Sequence, residues 1–261
     1  GRSGPGCVYC NNASFSVSAT TGTIQTALMD GLSRLQSSRR WAQQPGIPFQ
    51  AIAYFQSYSN TWAPPEILRE RYAQAISIPG IAGLAISTRP DCIDQQTADI
   101  LAEFGKKTRL WVELGLQTAS PKALAWIRRG HSVEDFIQAV RLLQDRGLPT
   151  VVHLIPGLPG ESSADRDSCA RLLADLDVWG IKFHHLQIVR DTPLEELART
   201  EKIPQPSAEE YAGMVAEILA RSGHPVVHRL HASCRSELLS PEDRSDPRIP
   251  ALMRQLFIPW E

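Results

Sequence analysis

Two cysteines separated by two residues, Cys7-Val-Tyr-Cys10, stand in a stretch rich in Gly, Ser, Thr and Asn that reads as a loop over residues 1–23. A C-x-x-C pair serves a zinc site, an iron–sulfur cluster or a redox disulfide, or is two unrelated thiols. Zinc takes four ligands, and no second C-x-x-C or paired H-x-x-x-H follows nearby. A thioredoxin-like pair opens a helix directly, whereas roughly a dozen mostly polar residues precede the first helical pattern. A cluster loop fits this setting best, although two thiolates are fewer than a cluster takes. Of the other thiols, Cys92 and Cys169 read as small core residues. Cys234 follows His228 and His231 in the tail and reads as incidental.

A second polar group has a spacing of two. Glu113, Gly115 and Gln117 fall on alternate residues of one strand-like run and so share a face. Such a carboxylate accepts hydrogen bonds, and such an amide both donates and accepts, which suits a ligand rich in hydroxyls. The bland alternative is a polar cluster solvated in a barrel mouth. His153, two residues before Ile155, points inward with it or is a hydrogen-bonded core histidine.

Positioning these groups requires a frame, and the pattern supplies one. Apolar runs rich in Ile, Val, Leu and aromatics occupy 51–58, 81–87, 110–116, 150–155 and 183–189. Helical patterns occupy 24–40, 65–77, 94–106, 121–128 with 133–146, and 162–178. Thr23, Ser120 before Pro121, and Ser132 with Asp135 three residues on are start signals. A helix near 207–222 and a short strand over 225–230 follow, and the rest of the tail reads as irregular. This alternation means a parallel sheet with helical crossovers, its strands covered on both faces. No glycine-rich dinucleotide turn or phosphate loop follows any of these strands. Polar residues gather instead at the strand C-termini, at 56–60, 88–91, 113–118, 157–161 and 190–191. In a barrel those ends converge on one mouth.

Composition sets the outer bounds. Hydrophobic residues make up 43% of 261, enough for one large core, which excludes a disordered chain. Lys and Arg number 27 against 28 Asp and Glu, so charge makes no general claim on nucleic acid or membrane. No apolar run is long enough to span a bilayer. An odd five cysteines is no disulfide scaffold and points to a reducing compartment. The chain opens on Gly1 rather than Met, as expected of a piece of something longer. Past residue 220 there are six arginines and no lysine, which reads as a solvated tail before it reads as an RNA contact.

Taken in order, several motifs resemble the radical S-adenosylmethionine (SAM) enzymes, in the bacterial branch allied to the elongator catalytic subunit. They are the Gly-rich stretch ending in Cys7-Val-Tyr-Cys10, Ser87-Thr-Arg-Pro-Asp91, Glu113-Leu-Gly-Leu-Gln117, Arg128-Arg-Gly-His131, Gly157-Leu-Pro-Gly-Glu161 and Lys182-Phe-His-His185. The resemblance covers about residues 1–230. It implies an α/β fold, a partial (β/α)6 TIM-type barrel with a C-terminal extension, divided at 205/206. It also places a first cysteine and a first barrel strand before Gly1. Cys7 and Cys10 then ligate a [4Fe–4S] cluster, and SAM is the second cofactor.

By the same resemblance Gln56, Ser57 and Tyr58 stand where relatives carry a Gly-Gly-Glu-like turn for the methionine amine, a pattern from which this sequence departs. Glu113 and Gln117 meet the ribose, Arg129 the SAM carboxylate, Gly157 the adenine, and His153 faces the pocket. The implied activity is cleavage of SAM to a 5′-deoxyadenosyl radical acting on an unknown substrate, with a tRNA base as a candidate. An electron donor such as flavodoxin or ferredoxin and a cytoplasmic setting go with it. The rivals are a catalytically degenerate barrel that binds RNA or a partner, and a hydrolytic or isomerising barrel whose C-x-x-C is accessory.

Overall fold

A computed structural model describes residues 6–11, 22–38, 49–232 and 234–257. The remainder of the loop read over 1–23, and the end of the helix read over 24–40, lie outside the described residues. In chain order the elements are α1 (Ile24–Gln36), β1 (Ala51–Phe55), α2 (Pro65–Ile76), β2 (Ile81–Thr88), α3 (Gln95–Gly105) and β3 (Arg109–Gln117). There follow α4 (Pro121–Trp126), α5 (Val133–Gln144), β4 (Thr150–Leu154), α6 (Ser163–Asp175) and β5 (Gly180–Phe183). The chain closes with α7 (Pro193–Thr200), α8 (Ala208–Leu219), β6 (Val226–Arg229) and α9 (Ile249–Phe257). The strands lie in the order β1-β2-β3-β4-β5-β6, every neighbouring pair parallel, as a partial TIM-type barrel.

Local chemistry starts the helices. Thr23 and Asp94 accept from the third backbone N–H of α1 and α3. Ser132 with Asp135, Ser162 with Asp165 and Ser207 with Glu210 form reciprocal capping boxes on α5, α6 and α8.

Parity then sorts the sheet. On β3, Leu110, Val112, Leu114 and Leu116 are buried in the apolar core together with Phe104, Phe136 and Val140 of the helices. The alternate residue Glu113 faces across the barrel interior, bonding to side chains of β1, β4 and β5. Both faces are covered as the apolar runs imply, but the inner cover is polar.

Two expectations fail, each for a physical reason. The run over 183–189 is not the fifth strand, which is Gly180–Phe183. Leu186 and Ile188 bury in a separate cluster with Val8, Ile127, Ile155 and Leu194, under the cysteine loop. An apolar run reports burial, and burial does not require a ladder. The tail read as irregular contains α9, whose Ile249 and Met253 are buried in the main core. Pro250 disguised it, yet proline is tolerated in a first turn, where the backbone N–H has no helical partner.

Leu114 is fully buried between β3 and the helices. Leu114→Ala should lower unfolding free energy by about 2–5 kcal/mol, through lost transfer energy and a residual cavity. Chemical denaturation measures this, and a loss below about 1 kcal/mol would mean the outer face of β3 is not packed as described.

Candidate active site

The cysteine loop is fixed by backbone bonds on both sides. Val8 N–H donates to the Ile127 carbonyl at 3.1 Å, and the Val8 carbonyl accepts from Leu194 N–H at 2.9 Å. Cys10 N–H turns back onto the Cys7 carbonyl at 3.1 Å. Val8 itself plugs the small apolar cluster beneath. Cys7 is buried and Cys10 exposed, and both line a cavity of about 590 Å³ at the C-terminal ends of the strands.

Arg129 links this loop to the sheet. It donates Nη1–H to Cys7 Sγ at 3.3 Å, and Nη2–H and Nε–H to the Gly115 carbonyl at 2.7 and 3.2 Å. A Cβ at Gly115 would lie 2.4 Å from Arg129 Nη2 and 2.5 Å from Gln117 Nε2, so any side chain there would have to displace both groups. Desolvation and the adjacent Cys7 push the Cys10 thiol up, and Arg129 opposes them. The guanidinium that the resemblance sends to the SAM carboxylate is thus directed at protein atoms: the strand backbone and a cysteine sulfur.

Beneath the cavity a single carboxylate gathers four side chains. Glu113 accepts from Tyr54 Oη at 2.7 Å, Trp111 Nε1 at 3.0 Å, His153 Nε2 at 2.8 Å and Lys182 Nζ at 2.6 Å. It is fully buried. Burial alone would raise its pKa, but His153 and Lys182 overcome that and hold it well below the usual carboxylate range. Burial lowers the pKa of Lys182 and of His153, with Glu113 opposing in each case.

Gln56, Ser57, Tyr58, Gln117, Arg129 and His153 all line the cavity with the two cysteines. Tyr58 and Gln117 both have left-handed backbones, at φ 66° and 73°. At Gln117 this accompanies a register shift in the β3–β4 ladder, and its carbonyl accepts from Ile155 N–H at 2.8 Å. Two expected residues stand elsewhere. Glu113 has its oxygens taken by the four donors and does not reach the cavity wall, so the ribose contact expected of it has no geometric basis. Gly157 N–H donates to Glu161 at 2.7 Å, and a Cβ there would meet Met214 Sδ of α8 at 3.1 Å. Its backbone is left-handed at φ 81°, which calls for glycine, and it is not among the residues lining the cavity.

Three wall residues had no assigned role: His184, His185 and Arg229. The two histidines end the motif Lys182-Phe-His-His185, which was the available signal. Arg229 was hidden in the count of tail arginines, since only pairing with β5 turns it inward.

The Glu113 cluster yields a stability prediction. Glu113→Gln should cost about 3–5 kcal/mol by leaving Lys182 buried without its counter-ion. Adding Lys182→Met should restore more than half of it. The folded carboxyl titrates below its unfolded value of about 4.3, so its stabilisation is complete above that pH and is lost as pH falls. Denaturation between pH 7 and 3 should therefore show a shallower acid decline in Glu113→Gln than in wild type. Equal stability of the single variant at pH 7 would contradict the cluster.

Comparison with known proteins finds relatives along most of the chain. The family model "Radical SAM superfamily" matches residues 5–173, and "Radical_SAM C-terminal domain" matches 178–255. YtqA of Bacillus subtilis is 33% identical over 90% of this chain and 71% of its own. A tRNA uridine(34) acetyltransferase of Methanocaldococcus infernus is 36% identical over 44% of this chain and 21% of its own. Among solved structures, Elp3 of M. infernus superposes with a TM-score of 0.65 at 18% identity, over 89% of this chain and 58% of that one, a likeness of fold. No helix among the described residues is long and apolar enough to cross a membrane. The chain belongs to the radical SAM superfamily, enzymes that work with SAM and a [4Fe–4S] cluster.

Proposed function

We propose that the cavity between the cysteine loop and the ends of the strands is where this enzyme binds and cleaves SAM, with Cys7 and Cys10 as two of the cluster's thiolate ligands. The observation that carries the reading is the juxtaposition of both cysteines, a buried arginine on Cys7 and the strand-end residues Gln56, Ser57, Tyr58, Gln117 and His153 around one space. The donor set fits the group: thiols on a tight turn suit iron, and a cation beside one of them offsets thiolate charge. Among the described residues no group of three His, Cys, Asp or Glu side chains forms a complete metal site. The third thiolate is assigned to the cysteine that the family resemblance puts upstream.

When bound, the cluster supplies one electron to SAM, which parts into methionine and a 5′-deoxyadenosyl radical able to take hydrogen from a substrate. The chain's own residues have other tasks. Gln56, Ser57 and Tyr58 hold the methionine end, Gln117 takes ribose hydroxyls, and His153 closes the floor while anchored on Glu113. Arg129 steadies the loop and its sulfur. The reducing cytoplasm, with flavodoxin or ferredoxin as donor, is the matching setting.

The proposed substrate class is a nucleoside within RNA, supported by the stretch shared with the tRNA uridine(34) acetyltransferase. The arginine tail adds little to that support. Arg221, Arg235, Arg244 and Arg248 are each ion-paired, with Asp167, Glu237, Glu242 and Glu209.

Iron, sulfide and SAM cleavage test the assignment in the full-length protein, reconstituted anaerobically. Cys7→Ala and Cys10→Ala should each remove the reducible cluster and all 5′-deoxyadenosine formation, while circular dichroism stays that of the wild type. A full cluster in either variant, or zinc in place of iron in the wild type, would refute it.

A further inference from the structure

Arg229 differs from the other tail arginines. It lies on β6, where it is the register partner of Lys182 on β5, so two cations stand side by side inside the barrel. The one carboxylate within reach, Glu113, is taken by Lys182. Among the described residues no Asp or Glu comes within ion-pair distance of Arg229. Its Nη2 lies against the ring of His184, and its Nε–H, shielded within the wall, has no partner. Desolvation lowers its pKa, and Tyr54, Glu113 and Tyr211 oppose that.

A second unsatisfied group stands beside it. His185 is 6% exposed, lines the same cavity, and its Nδ1 has no hydrogen-bond partner. Burial, with His231 and Arg229 adding to it, lowers its pKa to about 4, so at neutral pH it is an uncharged imidazole that can donate one N–H. Arg229 and His185 thus share one wall of the cavity, a cation with no carboxylate partner among the described residues beside an imidazole with an unused ring nitrogen. A partner that accepts from a guanidinium and from an imidazole N–H, and brings negative charge, is an oxyanion.

We infer that Arg229 and His185 form a subsite for an oxyanion of the substrate, a carboxylate or phosphate, on the cavity wall supplied by β6 and the segment after β5. This rests on the reading that SAM occupies the part of the cavity next to Cys7 and Cys10, where Arg129 already balances the sulfur. It makes the substrate an anion that docks by its charge while the hydrogen to be removed faces the SAM end. A nucleotide phosphate fulfils this, as does a small carboxylic acid.

The test uses the reconstituted full-length enzyme at constant ionic strength, with sodium chloride as reference and sodium phosphate and sodium acetate as probes. One or both probes should raise Tm saturably in wild type. Arg229→Gln should abolish that rise, keep SAM affinity within about twofold, and melt no lower than wild type without the probe, because a part-buried cation with no carboxylate partner has been removed. Arg229→Lys should keep part of the rise. Phenylglyoxal labelling followed by peptide mass spectrometry gives a reading that needs no variant: the effective probe should protect Arg229, and SAM should not. An equal rise in Arg229→Gln, no rise with either probe in wild type, or protection of Arg229 by SAM alone would overturn the inference. Protection by SAM would assign the guanidinium to the cofactor's own carboxylate. Failure of wild type to bind SAM at all would instead remove the functional reading beneath it.

Discussion

A carboxylate with no exposed surface inside a barrel must be satisfied by the strands around it, and this requirement organises the molecule. Glu113 on β3 collects a phenol from β1, an imidazole from β4, an ammonium from β5 and an indole from its own strand. Four of the six strands are thereby held to one point. An ion of this kind left unpaired costs several kcal/mol, so the inner register of those strands is specified as strongly as the outer one. The outer face is ordinary packing, with leucines and valines interlocked with helices. The inner face is a charge balance.

That balance sets what stands above it. One step up β3 there is no side chain at all, and the space at Gly115 is filled by the Arg129 guanidinium, which meets the strand carbonyl and Cys7 together. The cysteine loop is thus tied to the sheet through a buried cation, and to the rest of the chain through the backbone of Val8 and the Asn11 amide, which donates to the Arg190 carbonyl. On the opposite wall the balance does not close. Among the described residues, Lys182 takes the one carboxylate near this pair and leaves Arg229 on the cavity wall.

Much of the frame was legible because it rests on local rules. Ser132 with Asp135 announced α5, and alternation placed Glu113, Gly115 and Gln117 on one face. Their partners were not legible, since Tyr54, His153 and Lys182 reach Glu113 only after strands 40 to 69 residues apart come together. Hence a carboxylate that seemed free to bind a ribose is occupied. The same holds for Arg129 and Gly157, whose motif positions were right to notice but whose neighbours, Gly115 and Met214, come from other elements. The misplaced fifth strand shows the limit of apolar runs, because Leu186 and Ile188 bury as well under a loop as in a ladder.

The central claim is that SAM binds beside Cys7 and Cys10, at the C-terminal ends of the strands. Electron–nuclear double resonance on the reduced full-length enzyme tests it most directly, with SAM carrying ¹⁵N in its methionine amine. The account predicts a resolved ¹⁵N coupling to the cluster that is present in wild type and absent in Cys7→Ala. A reduced cluster that shows no such coupling while SAM is bound would contradict it.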